Sequence, residues 1–301
     1  MSFPVPVEGP SLRILVALFP GFQLLDVAGP LDMFNILSGP PYNAPLRMSF
    51  AAETLDAVPT KLINTPNSTR HFDVHGATGQ ADVNASFNQR FAVDLTFADA
   101  LADSQSWDLI FIPGGIGSRV FYEGTGTAAN GGEPTLAVQP LLDFIRRVTS
   151  AGRVSLGFMT VCTGSDILAR TGLLDGRRAT TNMLRFEDVS TRSPRVKWCR
   201  GARWAKSDVE DGKTSGRAKE EGGGLEVWTS AGVSAGMDLA LAFVAEKFGG
   251  VEVARDVARR SECEFLGVSP CVAFSLSSLL CASLFSALLL LGYYRAVVVA
   301  D

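Results

Sequence analysis

The stretch 153-RVSLGFMTVCTGSDILARTGLLDGRRATTN-182 decides the fold. It opens on a β-rich, nearly continuous apolar run through Val161. Cys162, Thr163 and Gly164 follow, and then the helical pattern 164-GSDILARTG-172. A strand apolar on both faces that passes at once into a helix is the unit of a parallel sheet covered by helices. Such a strand-to-helix elbow projects its turn residue, here Cys162, at the carboxyl edge of the sheet. A helix N-terminus offers free N–H groups and a positive partial charge, which would favour a thiolate. The alternative for Cys162 is a small buried apolar residue, the usual fate of a free cysteine.

The same alternation extends outward. Strands are expected at 13-RILVALF-19, 48-MSFAAE-53, 108-DLIFIP-113, 153-RVSLGF-158, 178-RATT-181 and 225-LEVWTS-230. Helices are expected at 24–37, 94–103, 138–151, 164–172, 234–249 and 251–265. This order predicts an α/β sandwich whose sites lie beyond the carboxyl ends of the strands. With 301 residues, 47% apolar and 19% charged, the chain can bury a sizeable core. Its net charge of −4, without a long basic run, argues against nucleic-acid binding. No signal peptide is read at the N-terminus. Five unevenly spaced cysteines without a C-x-x-C pair support neither a zinc ribbon nor a disulfide scaffold, and suggest a reducing, cytoplasmic setting.

The organisation read from this pattern is an extension over 1–11, a domain over 12–265 and a tail over 266–301. Polar stretches near 59–85, 123–134 and 206–224 read as exposed insertions. From Leu266 to Tyr294 no residue is charged, which exceeds the roughly 18-residue threshold for a membrane span. A tail anchor giving membrane association, a segment packed on the domain and a gene-model error all fit that tail.

Two further segments carry candidate chemistry. In 113-PGGIGS-118 the glycines let backbone approach a ligand closely. If strands 108–113 and 153–161 are neighbours, the amides of Gly114 or Gly115 and of Thr163 would form an oxyanion hole; otherwise this is an ordinary turn. Asp26, in 21-GFQLLDVAGPLDMF-34, lies among apolar residues just beyond the first strand. Pro30 suits the first turn of a helix, which would put Asp26 in the loop before it. It would be either a buried proton carrier beside the thiol or a helix cap. The only histidines, His71 and His75, stand in a polar insertion with Asp73. They lack a third obvious metal ligand, so no metal is expected, and a cysteine–histidine dyad is disfavoured.

Taken with 13-RILVALFPGFQLLDVAGPLDMFNIL-37, 107-WDLIFIPGGIGS-118, 161-VCTGSDILARTGLLDGRRATTN-182 and 227-VWTSAGVSAGMDLALAF-243, the chain resembles the ThiJ/PfpI-like superfamily. Within it the chain is most similar to the isonitrile hydratases. The resemblance implies a flavodoxin-like three-layer α/β/α sandwich with a mostly parallel central sheet and a nucleophile elbow. It also implies a cofactor-independent hydratase, a small-molecule substrate and a homodimer. By resemblance Cys162 attacks the isonitrile carbon, Asp26 is the acid/base group, and Thr163, Gly115 and Gly114 supply backbone donors. Redox sensing by a non-catalytic relative, or glyoxalase- or deglycase-like action on 2-oxoaldehydes, are the other readings. Relatives usually carry histidine where this chain has Asn182. They also carry an apolar residue where it has Asp166, a carboxylate expected either to meet the helix dipole or to oppose the thiolate. No helix-turn-helix domain of the kind found in related regulators follows.

Overall fold

Residue 12 begins a strand because the run from Leu12 to Ala17 is apolar on both faces and almost wholly buried. In the computed structural model the described residues are 9–64, 70–79, 84–123, 135–207 and 224–265. The tail from 266, residues 124–134 and most of the stretch 206–224 therefore lie outside the described residues, as do residues 1–8 of the extension. Among the described residues the strands run β1 (Leu12–Ala17), β2 (Leu46–Ala52), β3 (Val58–Pro59), β4 (Arg90–Phe91), β5 (Leu95–Thr96), β6 (Trp107–Ile112), β7 (Val154–Val161), β8 (Arg178–Ala179), β9 (Lys197–Trp198), β10 (Trp204–Ser207) and β11 (Glu226–Ser230). The helices are α1 (Leu24–Ser38), α2 (Val74–Thr78), α3 (Phe97–Ala102), α4 (Gln139–Ser150), α5 (Gly164–Ala169), α6 (Phe186–Arg192), α7 (Ala235–Lys247) and α8 (Gly250–Arg260).

Seven strands form the central sheet in the order β10-β11-β7-β6-β1-β2-β5. Every pairing is parallel except β10 with β11. The helices pack as two groups, α1 with α7 and α8, and α3 with α4 and α5, giving the outer layers of the sandwich. Helix α4 shows why: Leu141, Phe144, Ile145 and Val148 recur at helical spacing and are buried, while Asp143, Arg146 and Arg147 face water. The chain leaves β1 toward β2 and returns on its other side at β6, so β1 and β6 flank the switch point where such sheets bind ligands.

Several expectations change. The run 178–181 does not join the sheet; β8 pairs with β9 in a separate two-stranded ribbon. The edge place belongs to β10, whose last two residues fall in the stretch read as an insertion, and its half-polar WAKS sequence fits a strand with one buried and one open face. The segment 59–85 is not all exposed loop. Leu62 and Val74 are buried with Val120, Tyr122 and Ala137 in a small second apolar cluster, and Phe72 stacks on Tyr122 with ring centroids 5.3 Å apart. Helix α1 starts at Leu24, ahead of Asp26, so Pro30 lies inside the helix. There Pro30 leaves the Asp26 carbonyl without its helical donor. Cys199 is disulfide-bonded, whereas Cys162 and Cys263 are free. No helix among the described residues is long and apolar enough to cross a membrane.

Candidate active site

Three segments meet at the carboxyl ends of adjacent strands: the elbow after β7, the Pro113–Ser118 loop after β6, and the first turn of α1 after β1. Cys162 sits at the elbow with φ of 58°, a left-handed conformation that costs a non-glycine residue free energy and is held only by its surroundings. Its amide donates to the Ser230 carbonyl at 3.1 Å. Its carbonyl accepts the Ser165 hydroxyl at 3.0 Å and the Thr181 hydroxyl at 3.2 Å.

Asp26 is completely buried. Its Oδ2 accepts the Gly114 amide at 3.0 Å, while Oδ1 has no hydrogen bond of normal geometry. Gly114 makes the arrangement sterically feasible. A methyl group on its Cα would stand 2.5 Å from the Thr163 nitrogen, 2.7 Å from Cys162 Cβ and 2.9 Å from Asp26 Oδ2. Only a residue without Cβ lets the loop, the elbow and the carboxyl come this close. The next residue ties the loop to the elbow: the Gly115 amide donates to Thr163 Oγ1 at 3.0 Å, and the Ser118 hydroxyl meets the same oxygen at 3.0 Å.

Burial pushes the Asp26 carboxyl up to about 7, opposed only in part by the Gly114 amide, the Cys162 thiol and the Val233 amide. Burial likewise pushes the Cys162 thiol up to about 12, and the Asp26 charge adds to the rise. The Thr163 amide and the Asn182 side chain work the other way. The expected low-pKa thiol at a helix N-terminus is therefore corrected. Helix α5 has only six residues, and its partial charge is outweighed by desolvation and a neighbouring carboxyl. Two acids share one buried space, and near neutral pH the negative charge resides on Asp26 first.

The structure brings Cys162, Asp26, Thr163, Gly114 and Gly115 together. The Gly114 and Gly115 amides, however, are engaged by Asp26 and Thr163, leaving the Thr163 amide as the backbone donor directed at sulfur. Asp166 does not bear on the thiol. It is buried against Arg170 at 2.8 Å and Arg192 at 3.6 Å, which neutralise it. Among the described residues His71 and His75 belong to the α2 region, where the Glu123 amide bonds the His71 carbonyl, and neither acts on the thiol.

Asn182, marked in the sequence only as a departure from its relatives, is a direct neighbour of the thiol. Its Nδ2 donates to Cys162 Sγ at 3.2 Å, while its Oδ1 accepts the Leu184 amide at 3.0 Å and so fixes which end of the amide faces sulfur. It also lines a cleft of about 310 Å³ walled by Met183, Leu184, Ala202, Ala231 and Val233. Asn182→Ala is expected to move the pH profile of Cys162 alkylation to higher pH by about one to two units, the worth of one hydrogen bond to a charged sulfur. An unchanged profile would contradict that role.

A mostly parallel α/β sheet carrying a buried cysteine on a strained strand-to-helix elbow, with a carboxyl from the helix after β1 beside it, defines a cysteine-elbow domain of flavodoxin-like fold. Residues 12–246 match the DJ-1/PfpI family, and the chain belongs to that family. Among solved structures it is similar to Drosophila melanogaster DJ-1beta, at 17% identity and a TM-score of 0.51, covering 85% of this chain and 100% of that one. It is also similar to an AraC family transcriptional regulator from Pseudomonas putida, at 15% identity and a TM-score of 0.52, covering 83% and 99%. At such identities the likeness carries the fold alone. No curated protein matches the chain.

Proposed function

We propose that the protein is a cofactor-independent hydratase that adds water to the carbon of an isonitrile, with Cys162 as nucleophile and Asp26 as proton carrier. The observation that supports it best is the buried Asp26–Cys162 pair, in which a carboxyl pushed up to about 7 lies beside a thiol that needs a base. A carboxyl half-protonated near neutral pH both takes and gives a proton efficiently. Asp26 takes the thiol proton, sulfur bonds to the isonitrile carbon, and the same proton passes from Asp26 to that carbon. The product is a thioimidate. Water then attacks the thioimidate carbon; one of its protons ends on nitrogen and the other returns through Asp26 to sulfur as the C–S bond breaks. The product is an N-substituted formamide. The Thr163 amide and Asn182 Nδ2 stabilise the sulfur while it carries charge.

Two other readings are less well supported. A peroxide sensor needs a standing thiolate, and the raised Cys162 thiol opposes one. Glyoxalase-like chemistry on 2-oxoaldehydes leans on a histidine beside the cysteine, and Asn182, which cannot carry a proton, stands against the sulfur instead. Family membership also supports a homodimer, to be read by sedimentation. The test of function is a panel of small alkyl and aryl isonitriles followed by formamide release. Product from the parent protein and none from Cys162→Ala is expected. Equal product from both, or none from the parent across the panel, would overturn the reading.

A further inference from the structure

Gly232 stands two residues past β11, in the loop that leads to α7. The chain is pinned on both sides of it. The Ala231 amide donates to the Arg203 carbonyl at 2.8 Å, and the Gly232 carbonyl accepts the Ala235 amide at 3.1 Å. Its φ lies outside the left-handed region, so its backbone conformation does not call for glycine.

What calls for glycine is space. A methyl group on its Cα would stand 2.7 Å from Asn182 Nδ2 and 3.6 Å from Asn182 Cγ. Its chain neighbours apart, no other atom of the described residues lies within 4 Å of that methyl. The crowded atom is the one that faces the thiol, for Asn182 Nδ2 donates to Cys162 Sγ at 3.2 Å. At the other end Asn182 Oδ1 accepts the Leu184 amide at 3.0 Å. The carboxamide is thus held at both ends, with Gly232 against its nitrogen. Because the chain around residue 232 is pinned, any side chain placed there is accommodated by the tip of Asn182. That tip must then give up the sulfur or the Leu184 amide.

We propose that Gly232 is a positioning residue for the thiol: its missing side chain keeps open the place from which the Asn182 carboxamide donates to Cys162 Sγ. Gly232 acts through Asn182 alone. The proposal rests on the reading above only in taking Cys162 as the reacting atom, and it holds whatever the substrate is.

The test is a double-mutant cycle. Its readout is the rate of Cys162 alkylation by iodoacetamide, followed on the Cys162 peptide by mass spectrometry at one pH below the thiol pKa. At such a pH the rate follows the thiolate fraction. Gly232→Ala is expected to slow alkylation about tenfold, which is one pH unit of thiol titration. In the Asn182→Ala background the methyl meets nothing, and the same substitution changes the rate by less than about twofold. Melting temperatures follow the same pattern: lower in Gly232→Ala than in the parent, but no lower in the double variant than in Asn182→Ala. Should Gly232→Ala alone fail to fold, Asn182→Ala is expected to restore folding, and a double variant that stays unfolded would overturn the proposal. Equal slowing in both backgrounds, as a methyl that merely obstructs the reagent would give, overturns it as well. So does an unchanged rate in Gly232→Ala. Each of these outcomes leaves Cys162 standing as the nucleophile. A folded parent that does not react at Cys162 at all would overturn both ideas.

Discussion

Asp26→Asn should reduce isonitrile turnover about a thousandfold while making Cys162 easier to alkylate at neutral pH. The amide keeps the shape and can still accept the Gly114 amide, but it can neither take the thiol proton nor return one, and proton carriers of this kind contribute roughly 10²–10⁴-fold. The same substitution removes the negative charge that helps to hold the thiol up at about 12, so the thiolate becomes easier to form. An unfolded chain would also lose turnover and expose the thiol, so the melting curve of the variant is read alongside the two rates. Stability gives a third readout. The carboxyl is held at about 7 in the folded protein against an ordinary 3.8, so between those values the native state binds a proton that the unfolded chain releases. That stabilisation is complete below about pH 4 and is lost as pH rises toward 7. It amounts to roughly 4 kcal/mol at most. Melting curves at pH 5 and pH 8 should therefore show Asp26→Asn gaining on the parent at the higher pH. A parent and variant that keep the same difference at both would contradict the raised carboxyl.

Gly114→Ala should destabilise the fold and silence the site together. The added methyl meets a backbone nitrogen, the Cβ of a residue in a strained conformation and a buried carboxyl oxygen, all closer than 3.0 Å. None of the three is the far end of a flexible side chain. The loop must move away from the elbow, which breaks the Gly114–Asp26 and Gly115–Thr163 hydrogen bonds. A cost of about 2–4 kcal/mol follows for overpacking at such a point, or about 5–15 °C in melting temperature for a domain of this size. A melting temperature within a degree or two of the parent, with normal Cys162 reactivity, would show that the loop relaxes freely.

The parts of this architecture that announce themselves in sequence are those written in long apolar runs. β1, β6 and β7 are buried on both faces, and their alternation with helices was enough to place Cys162, Asp26 and the Gly114–Gly115 loop at one sheet edge. What escaped is local and polar. β10 alternates Trp204, Ala205, Lys206 and Ser207, and only its antiparallel pairing with β11 makes it a strand. The run at 178–181 has the composition of a sheet strand, yet tertiary packing gives it to a small ribbon. Pro30 marks a helix start by its usual preference, but here it sits within α1. The thiol's environment is not legible in sequence, because a helix N-terminus is visible there and burial is not. Asn182 stands out in sequence only as a departure from a related pattern.

The elbow's dependence on distant chain has a consequence for how the protein is made. The bonds that assemble the site join residues 88 and 48 positions apart, and the amide of Cys162 waits for the carbonyl of Ser230. Pairings of such long range form late, because the intervening chain must first be ordered. During synthesis Cys162 therefore leaves the ribosome well before β11 and the Val233 amide exist to close around it. For that interval it is an ordinary exposed thiol, without the carboxyl, the burial or the strained backbone that set its character in the finished protein.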